Sequence, residues 1–431
     1  MGERTIKVET LTRVEGEGGL YVRLKQGVID DVRLEIYEPP RLFEALLRGR
    51  PLEDAPDITA RICGICPVAY QMSSIHALEA ALEVTISPDI RRLRRLLYCG
   101  EWIESHGLHM HLLHAPDFFG FDSGLEMAKT YPVEVQRGLR LKKHGNQLLD
   151  LLGGRAIHPI NVCVGGFYRI PKPADFQKLI PDFDWGLEAA IETTRWMAGF
   201  DFPDFDIPQC DYVSLWHPDE YPMNEGVMKS SRGDTVEISN YEQEFEERQV
   251  PHSTALHALR RSTGQPYLIG PLARVNLNRE QLSPAAQQVA DEIGWETPCH
   301  NPHKSIIARG LEMIHAYEEA LTILRDIPSR IEPRMSYEYR AGTGMAATEA
   351  PRGTLFHRYT IDDAGKIVEG RIVPPTSQNQ AQIESDLKQW VGHVLSDDEA
   401  ETARKCENLV RAYDPCISCS THFLNVTIER V

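Results

Sequence analysis

Two Cys-x-x-Cys pairs are the residues of this chain best suited to chemistry. Cys63 and Cys66 belong to the segment ARICGICPVAY, and Cys416 and Cys419 belong to DPCISCSTH near the other end of the chain. Cysteines three residues apart place two sulfur atoms on one side of a turn or helix start, close enough to bind one ion. Two such pairs together offer a four-thiolate site for a metal ion.

The spacing alone leaves three interpretations open: a structural zinc ion, a redox-active metal, and core thiols that bind nothing. Zinc ribbons and fingers collect their ligands within a few tens of residues, because the metal there replaces a core too small to fold alone. Here the pairs lie about 350 residues apart, and a chain of 431 residues can bury a large core without a metal. The sequence context of the pairs has to separate the three interpretations.

The elements that must bring the pairs together are predicted to be mainly helical. Residues 1–38 alternate apolar and polar side chains around glycine breaks, which predicts a meander of antiparallel strands. Beyond Pro40, apolar residues recur three and four apart, which is typical of helices. Helices are predicted over 41–49, 73–83, 86–114, 133–154, 182–200 and 303–327.

The predicted fold class is mainly α, within the broader α+β class, and the chain is predicted to be one domain over 1–431. A large helical core is expected over 40–340, with small antiparallel sheets in the N-terminal and C-terminal regions and a metal-ligand region over 345–431. The segments 245–280 and 353–376 show mixed patterns with short strands.

Composition argues against several classes of partner. The 46 basic and 63 acidic residues give a net charge of -17, which disfavours binding to nucleic acid. No run approaches the length of a membrane span, and the N-terminus lacks the apolar stretch of a secretory signal. The sequence therefore predicts a cytoplasmic protein without membrane insertion.

The residues around both cysteine pairs resemble the large, catalytic subunit of nickel-iron hydrogenases. The resemblance runs nearly end to end and rests on TRVEG at 12–16, RICGIC at 61–66, GGRAIHP at 153–159, EAPRG at 349–353 and DPCISCSTH at 414–422. It implies reversible heterolytic cleavage of H2 at a buried bimetallic centre. In that centre Cys63 and Cys416 bind nickel alone. Cys66 and Cys419 bridge nickel to an iron that carries carbon monoxide and cyanide.

The same resemblance implies a route for protons and an arginine that is held over the metals by acidic residues. Heterolytic cleavage needs a nearby base, and Cys416 matches the first one. Glu15 in TRVEG matches the glutamate that relays the proton onward. Arg352 in EAPRG matches a guanidinium held over the cluster near the cyanides, and Asp414 and Asp117 match the acidic partners of that arginine.

Two further groups are implied by the same resemblance. Glu44 and His422 match the ligands of a nearby Mg²⁺ ion, with a backbone carbonyl in 371–373 as a third ligand. Pro375 stands where many members carry a hydroxyl that bonds cyanide, and Thr376 is the candidate to replace it. Other departures are Glu17 and Tyr70, which stand where members commonly carry histidine.

The resemblance also implies partner subunits. The sequence agrees, because it shows no motif for a cofactor that would carry electrons away from the metal centre. Beyond the two pairs there is no clustered cysteine set for iron-sulfur centres, no GxGxxG and no flavin signature. A small iron-sulfur subunit on an apolar interface is therefore expected. The forms CPVAY and VPPTSQNQ look most like the soluble cytoplasmic branch that couples H2 to NAD(P), which adds diaphorase-type subunits.

Two alternative functions stay open at the level of sequence. One is a quinone-site subunit like that of respiratory complex I, which looks like a descendant of the same fold without the cysteine ligands. Retention of all four thiols argues against it. The other is a non-enzymatic zinc scaffold.

The C-terminal tail FLNVTIERV raises a separate question. In most members of the family a dedicated endopeptidase, one of the maturation factors, cuts after the final residue of the DPCxxCxx motif, which is His422 here. Yet Leu424, Val426 and Ile428 alternate with polar residues, which is typical of a half-buried strand. We therefore expect a retained strand that pairs with the N-terminal sheet.

Overall fold

The computed structural model describes residues 4–26, 28–39 and 42–421. His422 and the tail, and with them the predicted C-terminal strand, lie outside this part of the chain. The described strands are β1 (Arg4–Val8), β2 (Gly18–Lys25), β3 (Val28–Ile36), β4 (Val162–Cys163), β5 (Gly166–Phe167), β6 (Val213–Trp216), β7 (Val227–Ser230), β8 (Thr235–Val236), β9 (Phe245–Arg248), β10 (His257–Arg260), β11 (Gly342–Ala350), β12 (Gly353–Ile361) and β13 (Ile367–Val373).

Helices make up more of the described chain than strands do. They are α1 (Phe43–Leu47), α2 (Ala55–Ala60), α3 (Pro67–Leu82), α4 (Pro88–Leu108), α5 (Ala115–Phe118), α6 (Gly124–Met127), α7 (Pro132–Gly153), α8 (Pro173–Gln177), α9 (Ile180–Ala198), α10 (Tyr241–Glu244), α11 (Pro271–Asn278), α12 (Pro284–Glu292), α13 (Ser305–Arg325), α14 (Pro375–Val394), α15 (Glu399–Tyr413) and α16 (Ile417–Ser420). Within the described ranges, no helix combines the length and apolar character needed to cross a bilayer.

The N-terminal residues form the expected antiparallel meander. Strands β1, β2 and β3 pair in that order, with Ile6 opposite Val22 and Val22 opposite Val32. The alternating apolar side chains of this sheet turn inward, and Leu20 and Leu34 are fully buried. The turn between β1 and β2 carries Glu15 toward the rest of the molecule.

The long helices α4, α7, α9 and α13 form the core that the apolar periodicity predicts. Helix α4 begins where Ser87 accepts a hydrogen bond from the Ile90 amide at 3.3 Å, with Pro88 as its first residue. Gly100 of α4 and Gly145 of α7 let the two backbones approach so closely that a Cβ at Gly145 would overlap the Gly100 carbonyl. After α4 the chain continues as a π-helical turn, His109–His114, into α5.

The second half of the chain agrees with the sequence patterns in part. The hairpin β9–β10 lies within 245–280 and strands β12 and β13 lie within 353–376, where short strands are predicted, whereas the sheet β6–β7–β8 interrupts the predicted helical core. Helix α14 was also missed, because its buried face is polar. Gln378 donates to the Thr354 carbonyl at 2.7 Å, and the Asn379 side chain accepts the Ile269 amide at 2.9 Å. Side chains that bond a neighbouring backbone hide the apolar period of a helix.

Candidate metal centre

The four predicted cysteine ligands converge on one buried point. The Cys66 and Cys63 sulfurs lie 2.7 Å apart, and the Cys63 and Cys416 sulfurs lie 3.7 Å apart. The sulfurs of Cys416 and Cys419 are in direct contact. One ligand atom from each residue falls within 4.8 Å of all the others, and all four residues are buried. The two ends of the chain thus build a single four-sulfur site.

The first pair is held at the start of α3. Cys63 lies in the loop after α2, and Cys66 directly precedes Pro67, the first residue of α3. The Cys66 amide donates to the Cys63 sulfur at 3.1 Å. Below this loop the buried Glu101 carboxylate accepts the Val68 amide at 2.6 Å and the Ala69 amide at 3.1 Å. Glu101 therefore satisfies the open helix end, and as a single glutamate within α4 it carried no signal in the sequence.

The second pair is held by the N-terminal turn and by α14. Glu15 and Cys416 are paired as a short parallel bridge, and the Ile417 amide donates to the Glu15 carbonyl at 2.8 Å. The Thr376 hydroxyl accepts the Cys416 amide at 2.9 Å. Because these contacts join three distant parts of the chain, only the folded protein brings Cys416 to the other cysteines.

Burial and charge act in opposite directions on the first pair of thiols. Burial raises the pKa of Cys66 well above its ordinary value. Burial also raises the pKa of Cys63, but the hydrogen bond from Cys66 and the charge of Arg352 outweigh it and lower that pKa below its ordinary value. The site therefore favours a thiolate at Cys63, which is the form that binds a metal. Four convergent sulfurs fit a soft, thiolate-bound metal centre.

Arg352 lies beside this cluster and bonds Asp414 as expected. Its Nε donates to the Asp414 carbonyl at 2.9 Å, and its Nη2 donates to the Asp414 carboxylate at 3.0 Å. Burial lowers the pKa of Arg352, but Asp414 and the charges of Cys66 and Cys63 outweigh it and raise that pKa. Its Nη1 is buried and has no hydrogen-bond partner among the described residues. An unused donor of this kind suits a guanidinium that bonds a ligand at the centre.

Glu15 connects the cluster to the partly exposed surface. The Cys416 thiol donates to the Glu15 Oε2 at 3.1 Å, and the Ser418 amide donates to the same oxygen at 3.0 Å. The Ser418 hydroxyl in turn donates to Glu38 at 2.8 Å. Both glutamates are half-buried. Glu38 was not foreseen, because it matches no motif and reaches the site through contacts with Ser418 and the Glu17 amide.

The expected ion pair between Asp117 and Arg352 is not formed in the described part of the chain. Asp117 pairs instead with Arg13 and with Arg411, which donates to it through Nε at 2.8 Å and Nη2 at 3.0 Å. The π-helical turn before α5 directs Asp117 toward α15, where Arg411 lies. Among residues 4–26, 28–39 and 42–421 no ion pair joins Asp117 to Arg352, whose guanidinium is held by Asp414 alone.

The structure places Glu44 next to the backbone segment expected near it. Its carboxylate accepts the Ile372 amide at 2.8 Å. Glu44, Ile372 and Cys419 line a common cavity of about 450 Å³ that also reaches Thr421. The role of Glu44 as a magnesium ligand stays a prediction, and His422 lies beyond the described residues.

The three departures from the family pattern occupy different surroundings. Tyr70 is fully buried beside the cysteines and packs against the His357 ring at a centroid distance of 6.0 Å. Pro375 is the first residue of α14, next to Thr376. Glu17 is exposed, and its amide donates to Glu38 at 3.2 Å.

Comparison with known proteins agrees with this site. The family model described as nickel-dependent hydrogenase matches residues 41–137 and 228–422. The chain is 32% identical over 424 residues to the alpha subunit of sulfhydrogenase 1 of Pyrococcus furiosus, covering 98% of each chain. It is also 32% identical over 424 residues to the alpha subunit of sulfhydrogenase 2 of the same organism, covering 98% of this chain and 100% of the relative.

Two solved structures share the fold at low sequence identity. An NAD+-reducing [NiFe]-hydrogenase in the H2-reduced state matches with a TM-score of 0.89 and 24% identity, covering 97% of this chain and 99% of that one. A [NiFeSe]-hydrogenase of Dm. baculatum matches with a TM-score of 0.81 and 23% identity, covering 98% of this chain and 100% of that one. The predicted mainly helical fold with small antiparallel sheets is confirmed.

The fold and the four-sulfur site define a thiolate-bound metalloenzyme, and the chain belongs to the nickel-dependent hydrogenase family. It is the catalytic large subunit of a hydrogenase with a nickel-iron centre. The zinc scaffold and the metal-free quinone-site subunit are therefore not its function.

Proposed function

We propose that this subunit cleaves H2 heterolytically and reversibly at the four-cysteine site, with Cys416 as the first proton acceptor and Glu15 as the second. The hydrogen bond of 3.1 Å between the Cys416 sulfur and Glu15 Oε2 carries the proposal. It gives a proton on the sulfur a direct path to a carboxylate. Cys63, Cys66, Cys416 and Cys419 would hold a nickel-iron centre, with carbon monoxide and cyanide on the iron, and this centre would supply the acceptor for the electron pair of H2.

The surrounding residues hold the reacting groups in place. The Arg352 Nη1 donor, which has no protein partner in the described chain, would bond a cyanide or charge that develops during the reaction. Asp414 fixes the plane of that guanidinium through two hydrogen bonds. The Thr376 hydroxyl accepts the Cys416 amide, so its own proton would be available to a ligand of the centre.

The proposed exit for the proton runs through half-buried side chains. From Glu15 the route continues past Ser418 to Glu38. The Ser418 hydroxyl donates a hydrogen bond to the Glu38 carboxylate at 2.8 Å. On this proposal Glu15 alternates between accepting a proton from the sulfur and releasing it outward.

A Mg²⁺ ion is proposed beside this route, with Glu44 and His422 as side-chain ligands. The cavity of about 450 Å³ next to Glu44 supports the proposal, because it leaves room for coordinating waters. Mg²⁺ prefers oxygen ligands and usually retains several waters.

Electrons are proposed to leave through a small iron-sulfur subunit. The two Pyrococcus relatives are named as alpha subunits, which supports a multi-subunit enzyme. The segment 157–168, which contains His158, carries an exposed apolar patch. Its residues are Ile157, Ile160 and Tyr168. The His158 ring donates to the Ala60 carbonyl at 2.7 Å, one turn before the Cys63 loop. The segment that carries the patch therefore contacts the end of α2, three residues before Cys63, which supports this place for the partner.

Transfer onward to NAD(P) through diaphorase-type subunits is the finer part of the proposal. The fold shared with an NAD+-reducing enzyme supports it. The purified complex should reduce NAD+ or NADP+ with H2. Reduction of elemental sulfur without reduction of either nucleotide would contradict this acceptor.

Replacement of a cysteine ligand tests the centre itself. Cys416→Ser and Cys419→Ser should lose nickel and activity together, because a hydroxyl is a poor substitute for a soft thiolate. Cys299→Ser is the matched control, since Cys299 is partly exposed and lies outside the cluster. Nickel content by mass spectrometry and infrared bands of bound carbon monoxide and cyanide are the measurements. Full nickel occupancy in Cys416→Ser, or wild-type protein without those bands, would contradict the proposal.

A further inference from the structure

Three side chains that commonly bind metals meet away from the four-cysteine site. One ligand atom each of His252, His257 and Glu384 lies within 4.8 Å of the others. The His252 Nε2 lies 2.7 Å from Glu384 Oε1, and the His257 Nδ1 lies 3.8 Å from Glu384 Oε2. The residues come from the loop before β10, from β10 itself and from α14. Their approach is thus a product of the tertiary fold.

His257 is the unusual member of this group. It is 6% exposed, and its Nε2 has no hydrogen-bond partner in the described part of the chain. The contact of its Nδ1 with Glu384, at 3.8 Å, is longer than a hydrogen bond. The unpartnered Nε2 is the other ring nitrogen, so the gap at Nδ1 is the feature that leaves room for a cation between the imidazole and the carboxylate.

We propose that His252, His257 and Glu384 bind one divalent transition-metal cation, with Zn²⁺ as the best match and water completing the site. Two imidazoles and one carboxylate are a common ligand set for Zn²⁺ with an open position. Bonds of about 2.1 Å in a tetrahedral site place ligand atoms about 3.4 Å apart. The observed separations of 2.7 Å and 3.8 Å bracket that value. The nitrogen donors argue against Mg²⁺, which prefers oxygen ligands alone.

The cation would fasten three elements near the C-terminal cysteines. Glu384 Oε1 also accepts the Leu34 amide of β3 at 2.8 Å, so the carboxylate already joins α14 to the N-terminal sheet. Between the two histidines, Ala255 pairs with Thr421 as an antiparallel bridge. A metal at this position would therefore brace the segment that runs beside Thr421. The side chain of His252 is partly exposed, which gives a cation access from solvent.

The same contacts are compatible with a metal-free hydrogen bond between His252 and Glu384, and metal analysis separates the two. The purified, nickel-loaded complex is treated with EDTA, dialysed against Zn²⁺ and analysed by mass spectrometry. Glu384→Gln and His252→Ala remove one ligand each. His217→Ala is the matched control, because His217 lies in the more exposed group with Glu220 and Glu225.

Wild type and His217→Ala should retain one equivalent of Zn²⁺ after dialysis. Glu384→Gln and His252→Ala should bind Zn²⁺ at least tenfold more weakly and lose that equivalent. Nickel content should stay unchanged in the ligand variants, which distinguishes loss of this site from damage to the four-cysteine centre. Co²⁺ bound in place of Zn²⁺ should show ligand-field bands without a thiolate charge-transfer band. Absence of a retained equivalent in wild type, or equal retention in Glu384→Gln and His252→Ala, would overturn the assignment.

Discussion

At the scale of the residue, the position of Glu15 depends on its neighbours more than on its own type. Its side-chain oxygen accepts both the Cys416 thiol and the Ser418 amide, while its backbone carbonyl accepts the Ile417 amide. Three contacts to the tripeptide 416–418 hold the carboxylate against the sulfur. A glutamate elsewhere on the N-terminal turn has none of these contacts to the cysteine segment.

Glu15→Gln should separate metal binding from proton transfer. Glutamine keeps the size and can accept the same hydrogen bonds, but it cannot carry a proton at this position. We expect unchanged nickel content and a loss of H2 turnover and H/D exchange of at least about a hundredfold, in line with the usual contribution of a positioned acid or base.

Glu17→Gln is the control for this variant, because Glu17 is exposed two residues away on the same turn. It should keep both nickel and exchange activity. Exchange at the wild-type rate in Glu15→Gln would remove Glu15 from the proton route.

At the scale of the element, α14 and α15 position the second cysteine pair. The N-terminus of α14 holds the Cys416 amide through Thr376. Further along the same helix, the Asp386 carboxylate accepts a hydrogen bond from the Tyr413 hydroxyl. The Gln382 side chain also donates to Asp386, at 2.6 Å. Tyr413 ends α15 and directly precedes Asp414. The contact between Asp386 and Tyr413 therefore sets where the cysteine segment begins.

The buried Asp386 should make stability depend on pH. Burial raises its pKa to about 7, against which the hydrogen bonds from Tyr413 and Gln382 act only in part. An acid whose pKa is raised by folding stabilises the protein fully below its unfolded pKa of about 3.9, and that contribution is lost as the pH rises through about 7. We expect the Tm of the wild-type complex to fall across this range and Asp386→Asn to flatten the fall.

Asp326→Asn is the control for this dependence, since Asp326 lies at the exposed end of α13. It should leave the pH profile of Tm unchanged. A profile of equal slope in wild type and Asp386→Asn would show that Asp386 is not the titrating group.

The packing of β11 on α3 allows a steric test of the C-terminal sheet. A Cβ at Gly344 would overlap the backbone of α3 at Ala77 and Ala81. Backbone atoms cannot move aside locally, so Gly344→Ala should destabilise the subunit by about 1–3 kcal/mol. Gly199→Ala is the control, because its nearest neighbouring atom, the Trp196 carbonyl oxygen, would be 3.5 Å away. Urea unfolding of both variants is the measurement, and equal midpoints would contradict the packing argument.

At the scale of the whole molecule, the chain closes on itself around buried charges. Arg274 of α11 donates to Glu312 of α13 at 2.6 Å and to Glu349 of β11 at 2.9 Å, and all three are fully buried. Such a network orients elements more than it stabilises them, because desolvation offsets the attraction. The surface, in contrast, keeps the apolar residues of the 157–168 segment exposed, which a subunit with a partner would cover.

A charge placed in this patch should weaken assembly without damage to the centre. Ile160 is 55% exposed, so Ile160→Glu should leave nickel content unchanged and reduce copurification of the iron-sulfur partner. Leu125→Glu is the control, since Leu125 is 83% exposed on α6. Size-exclusion chromatography with mass analysis would measure the complex. If both variants assemble with the partner as well as wild type does, the partner binds elsewhere on the subunit.

Glu15 and Arg352 were named only through the resemblance of TRVEG and EAPRG to the hydrogenase family. The two cysteine pairs, in contrast, were found from their own spacing, and α4, α7, α9 and α13 from the spacing of apolar residues. These features are encoded by covalent neighbours, so they are visible along the chain.

Tertiary structure decided which distant groups meet. Asp117 pairs with Arg411 and not with Arg352. Glu101 closes the end of α3, and Glu384 approaches two histidines more than a hundred residues away. Helix α14 escaped prediction because its buried amides bond the backbone of other elements. Contacts of this kind depend on how helices and sheets pack in space, and the pattern of one segment carries no record of the side chains that will face it.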